Sequence, residues 1–233
     1  MIRVTSFCAA ILCSSIVAAA PKSLDFDDLR GRSYDEIKST ANHDEGFVFG
    51  VTGSVAINRL PIANLLSLRN KVEKGRAIQE SFEIEDPAAA ISEALARFLG
   101  ESIEVVVSLG DLPPLDKKER NFAGVMPMRS EEHLASEFGD GKLVVNVASG
   151  IWMAEDRRKD RYWLLYGSSV EILDTSSKEI LWRDNCITRP RKNAELPSST
   201  TILDDNAQSL KDEIEIAKNY CLERFIANMT GID

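Results

Sequence analysis

The stretch Glu179-Ile180-Leu181-Trp182-Arg183-Asp184-Asn185-Cys186-Ile187 decides how the C-terminal half is laid out. Its alternation reads as a strand, with Ile180, Trp182 and Cys186 on one parity and Leu181, Arg183 and Asn185 on the other. Just before it, Asp174-Thr175-Ser176-Ser177 reads as a hairpin turn, so Tyr162 to Leu173 becomes an antiparallel neighbour. A charged turn at 155–161 joins that strand to another over Leu143 to Met153, and short connections make the three an antiparallel meander. Downstream, Thr201 and Asp204 have the spacing of a capping box. Leu210, Ile214, Ala217, Cys221 and Phe225 then form the apolar stripe of a long helix, which Gly231 ends. Cys186 and Cys221 therefore both face the space between sheet and last helix. In an oxidising compartment they form a single disulfide, and closing its loop is worth about 3–4 kcal/mol. The alternatives are two buried free thiols, or a redox pair, which usually takes C-x-x-C spacing.

The compartment follows from the N-terminus. Arg3 precedes an apolar run from Phe7 to Ala20, the layout of a secretory signal, with cleavage expected near Ala19 after Val17-Ala18-Ala19. The run is short for a membrane span. A retained anchor is one alternative. A lipoprotein acylated at Cys13 is another, but Leu12 stands where such signals want a small residue. Of the four cysteines, export leaves only the 186/221 pair, and the mature chain is expected to be periplasmic or secreted. The formal net charge is −9. An acidic balance argues against a nucleic-acid partner and against broad attraction to anionic lipid. No other apolar run suggests a transmembrane span in the mature chain.

Residues 20–46 are polar and acidic and read as a flexible segment, leaving 47–230 as one α/β domain. Phe47 to Ile57 alternates as a strand. A helix is expected near Ile62 to Val72, stopped by Gly75. The clearest helix starts at Asp86-Pro87, carries Ile91, Leu95, Phe98 and Leu99, and is expected to stop at Gly100. A short strand over Ile103 to Leu109, a Pro-rich loop over 110–129, and a short helix capped by Ser130 and ended by Gly139 follow. The fold class is thus α+β, in two or three layers. A mixed sheet of about five strands is expected in the order β-α-β-α-β-β-β-α, with an antiparallel C-terminal meander and a disulfide-tied last helix.

Chemistry-bearing motifs are sparse. His43-Asp44-Glu45 and Glu131-Glu132-His133 lack metal-ligand spacing, so no metal is expected, and His133 reads as a surface residue. Gly167-Ser168-Ser169 lies inside a strand rather than at a nucleophile elbow, and Gly50-Val51-Thr52-Gly53 lacks the Lys-Ser/Thr end of a phosphate loop. No catalytic residue and no cofactor are assigned. Trp152, Tyr162, Trp163 and Tyr166 concentrate on the meander, where they either stabilise the sheet or face a ligand or protein. Arg189 and Arg191 with Lys192, and the cluster Arg157, Arg158, Lys159 and Arg161, are either solvated turns or contacts for anionic groups. Asn228-Met229-Thr230 is a glycosylation sequon, relevant only in a eukaryotic secretory pathway.

Tyr162-Trp163-Leu164-Leu165-Tyr166, Ile172-Leu173-Asp174-Thr175, Leu181-Trp182 with Cys186, and Leu210-Lys211 with Cys221 resemble uncharacterised exported proteins and lipoproteins of Gram-negative bacteria. The element order resembles the anticodon-binding-like layout of curli-secretion lipoproteins, over roughly residues 47–229. The resemblance implies an envelope protein with no catalytic residues to carry over. This chain departs from it in lacking a lipobox, and residues 109–129 lack the alternation of a pore-forming segment. The expected role is a non-catalytic exported protein acting through contacts with another envelope protein. A hydrolase of an envelope polymer and a periplasmic module for a small ligand are the alternatives.

Overall fold

The structure is a computed structural model and describes residues 23–43, 48–52, 62–110, 112, 120–121, 128–156, 162–188 and 201–232. The expected leader 1–19 lies outside the described residues, as do the turn 157–161, Arg189 and Arg191. In chain order the elements are α1 (Phe26–Gly31), β1 (Glu36–His43), β2 (Val48–Thr52), α2 (Ile62–Phe82), α3 (Pro87–Ile103), β3 (Val107–Leu109), β4 (Arg120–Asn121), β5 (Met128–Arg129), α4 (Glu131–Phe138), β6 (Lys142–Asp156), β7 (Tyr162–Asp174), β8 (Glu179–Ile187) and α5 (Asp204–Thr230).

The main sheet runs β3-β1-β6-β7-β8, with β2 also on β6. β1 pairs with residues 142–149 of β6 and β2 with residues 153–156, both in parallel. They line successive lengths of β6, so the sheet has five lateral positions. β6, β7 and β8 form the expected antiparallel meander. α3 and α5 cover one face over Ile37, Leu143, Val145, Val147, Val170, Ile172 and Trp182. α4 covers part of the other, where Leu134 packs on Val144 and Leu173.

β1 corrects the reading of 20–46 as a flexible segment. Its sequence, Glu-Ile-Lys-Ser-Thr-Ala-Asn-His, is too polar to announce a strand, yet it lies between β3 and β6. Ser39 is matched by a partner outside the sheet: it donates to Ser92 of α3, and the Ser92 hydroxyl lies within 3.0 Å of the carbonyls of Thr40 and Val145. The arm that leads into β1 is anchored at Asp174. Arg32 and Tyr34 donate to one carboxylate oxygen at 3.0 and 3.2 Å, while the amides of Ser176 and Ser177 donate to the other. Burial works against ionisation of Asp174, but these donors outweigh it and hold the carboxyl below its ordinary value.

Three helix ends also differ from expectation. α2 passes through Gly75 and runs to Phe82. One glycine costs only about 1 kcal/mol, and good helix formers follow it. α3 passes through Gly100 and turns at Glu104, whose φ is +60°. Gly100 serves packing instead: a Cβ there would meet Val107 Cγ2 at 2.5 Å and the Val105 carbonyl at 2.8 Å. As a result β3 begins only at Val107. The residue before the first turn of α5 is Leu203, which makes no side-chain cap bond, rather than the expected Thr201. By contrast, Asp86 and Ser130 cap α3 and α4 as read, accepting from the amides of Ala88 and His133.

Cys186 and Cys221 are bonded, with 5.6 Å between their Cα atoms, and both are fully buried. A bulge between Ile172 and Leu173 puts Trp182 opposite Ile172 and Ile180 opposite Leu173. Ile180 therefore joins the α4 side rather than sharing a face with Cys186, as strict alternation had implied. Trp182 stays on the α5 side and meets Phe225 edge-on.

Replacing both cysteines with alanine is expected to cost about 3 kcal/mol. Calorimetry of the oxidised protein and the double variant checks this, and reductant should lower the Tm of the former alone. Asp174→Asn is expected to destabilise by about 1–3 kcal/mol at neutral pH. A group with a depressed folded pKa stabilises above its unfolded pKa, so the gap between wild type and variant should close as pH falls below 3.8. Urea unfolding across that range measures it.

Candidate functional site

On the face partly covered by α4, register and alternation place polar residues side by side. Thr40 of β1 pairs with Asn146 of β6, Asn146 with Glu171 of β7, and Glu171 with Arg183 of β8. The next row on this face is Asn42, Ala148, Ser169 and Asn185. Thr40, Asn42, Asn146, Ser169 and Glu171 are buried, an unusual set for sheet interiors.

Hydrogen bonds knit the rows together. β5 brings Arg129 over them, only 2% exposed. Its Nε donates to Asn42 Oδ1 at 2.8 Å, and its Nη1 lies 3.3 Å from His133 Nε2. Asn42 Nδ2 donates in turn to Asn146 Oδ1 at 2.6 Å. Ser169 donates to Asn185. At the sheet edge Arg183 pairs with Glu171 at 2.6 Å and lies 4.0 Å from Glu131 of α4. Burial raises the Glu171 carboxyl above its ordinary value, and Arg183 opposes the shift without cancelling it.

A second polar knot sits on the α3 side. Asp86 accepts from Ser149 Oγ at 2.5 Å and from the Ala88 amide at 2.8 Å, and Ser149 Oγ lies 3.1 Å from the Tyr166 hydroxyl. Burial pushes the Tyr166 hydroxyl far up, so it remains protonated. The knot locks the start of α3 to the sheet.

The residues singled out from sequence separate as follows. Cys186 and Cys221 meet. Tyr166 is fully buried in the main core. Trp152, Tyr162 and Trp163 are placed by backbone register alone, Trp152 opposite Tyr166, Trp163 opposite Glu155 and Tyr162 opposite Asp156. Their side chains lie outside the described residues, as do Arg189 and Arg191. His133 is half-buried against Arg129, not the free surface residue expected. The polar row went unnoticed from sequence because β1 did. Its visible trace was Asn146 and Glu171, two strongly polar residues in mid-strand. The sequon is built into the fold: Asn228 Nδ2 donates to Asp184 at 2.8 Å and Met229 is fully buried.

Among the described residues the sheet has two open edges. β3 is three residues long, with its last residue Leu109 and the preceding Val106 exposed. β8 is nine residues long and, among the described residues, pairs with β7 alone. Its outer end carries Ile187, 46% exposed, and a shallow groove runs along Ile180, Leu181, Trp182 and Arg183.

No protein-family model and no curated protein matches the chain. Among solved structures it is similar to a subunit of the PelC dodecamer from Paraburkholderia phytofirmans, at 11% identity and a TM-score of 0.28 over 83% of this chain and 93% of that one. It is also similar to a neuraminyllactose-binding hemagglutinin homolog from Helicobacter pylori, at 11% identity and a TM-score of 0.19 over 86% and 99% of the two chains. At these scores neither likeness carries weight for function.

Glu171→Gln tests the charge state of the row. A raised carboxyl pKa means the acid form favours the fold, and this contribution is lost as pH rises through the folded value. The variant is therefore expected to match wild type at acid pH and to exceed its Tm by a few degrees near neutrality. Thermal scans at a series of pH values above 4.5 measure the difference.

Proposed function

We propose that the chain is an exported, non-catalytic protein of the bacterial envelope that acts by binding other proteins, with the β8 edge as its contact surface. The observation that carries this reading is β8 itself. A nine-residue edge strand offers a row of backbone donors and acceptors to an added strand. The disulfide behind it keeps that edge in shape, and the exposed Ile187 and Arg183 give a partner one apolar and one charged handle. Export is supported by the disulfide, which persists in oxidising compartments, and by the leader-like residues 1–19. Among the described residues no helix is long and apolar enough to cross a membrane. The resemblance to Gram-negative envelope proteins belongs with the same reading. A second reading, a small-ligand module, draws on the buried polar row beneath α4.

Photo-crosslinking in the native host tests the contact. A crosslinking residue at Ile187 is expected to give one or two discrete adducts, while the same residue at the exposed Glu137 of α4 gives none. Equal patterns at both positions, or no adduct at Ile187, would exclude the β8 edge. N-terminal sequencing of the exported protein is expected to begin at Ala20, and an intact Met1 would remove export from the reading.

A further inference from the structure

We propose that the polar row holds one ordered water molecule, bridging Asn146 Nδ2, Thr40 Oγ1 and the Glu171 carboxylate. The proposal is independent of the protein-contact reading.

It begins with Arg129, a side chain that can only donate. Because Arg129 Nε donates to Asn42 Oδ1, the orientation of the Asn42 amide is set. Asn42 must then present Nδ2 to its other neighbour, and it does, to Asn146 Oδ1. Asn146 is oriented in its turn, since a flipped amide would bring two donors together. Its Nδ2 is therefore an obligatory donor pointing away from Asn42. Among the described residues this buried nitrogen makes no hydrogen bond of normal geometry. Thr40 Oγ1, on the residue paired with Asn146 in the sheet, is buried and unpartnered as well. Two such groups left dry would weaken the fold, since a buried donor or acceptor that loses water without a replacement forfeits its hydration.

The third corner is Glu171, which pairs with Asn146 on the other side. The Asn146 amide weakly favours the charged form of this carboxyl. Nδ2 therefore lies on the Glu171 side of the row, where one water can reach both groups. The chemistry of the corners selects the occupant. A cation would meet the Asn146 donor and the neighbouring Arg183. An anion would meet Glu171. A neutral oxygen that accepts from Asn146, donates to Glu171 and shares a proton with Thr40 fits all three, and three bonds are typical for internal water.

The test uses the full chain with its disulfide intact and its asparagine side chains labelled with nitrogen-15. A water cross-peak with the sign of a long-lived contact is expected at the Asn146 side-chain amide. Its absence overturns the proposal. So does crystallographic density showing Nδ2 bonded directly to Glu171, or showing that the bridging oxygen belongs to a bound solute. Thr40→Val, which keeps the shape and removes the hydroxyl, gives an independent reading. With the water in place the variant loses a bond, and its Tm is expected to fall by about 3 °C. An unchanged or higher Tm would mean that the hydroxyl was dry and would overturn the proposal.

Discussion

The covalent link between Cys186 and Cys221 joins the last strand to the last helix, and the seam around it organises the C-terminal half. Among the described residues β8 has a sheet neighbour on one side only, and an edge strand of this kind frays easily. α5 starts without a side-chain cap. Each element is weakly held by its own local interactions. Near the cystine, Trp182 lies edge-on to Phe225 and Asp184 accepts from Asn228. A covalent, an aromatic and a polar contact thus fasten the same two elements. The bond needs an oxidising compartment, so the stability of this half depends on where the chain folds.

The opposite end of the sheet is held by charge and hydrogen bonds. Asp174 closes the β7–β8 turn with one oxygen and receives Arg32 and Tyr34 with the other, tying the arm before β1 to a turn far along the chain. Tyr34 is well suited to donate there, since burial, and then Asp174, push its hydroxyl up to about 12. β1 is consequently fixed at both its entry and its middle, by Asp174 and by the Ser39–Ser92 contact.

Much of this was legible in the sequence, and what was not has a common cause. The meander, α3, α4 and the cystine announced themselves through alternation, caps and inward-facing cysteines. The hidden parts are those where polar residues do the work of apolar ones. β1 reads as part of a flexible segment because Ser39, Thr40 and Asn42 occupy positions where strands in a core usually carry Val or Ile. The partners of Ser39 and Asn42, on α3 and β5, are remote in sequence. The missed row of Thr40, Asn146, Glu171 and Arg183 is the same omission seen from the site. Gly100 misled for a related reason: its role is set by Val107 and Val105, which only the folded chain brings against it. The aromatic cluster drew attention because large rings are conspicuous, yet Tyr166 and Trp182 simply fill the core.

The placement of Asn228 bears on how this protein can be produced. In a secretory host that glycosylates such sequons, this asparagine offers an acceptor. The side chain that should bond Asp184 would then carry a bulky sugar, beside a methionine that has to be buried. Expression in a host that lacks this modification avoids the conflict.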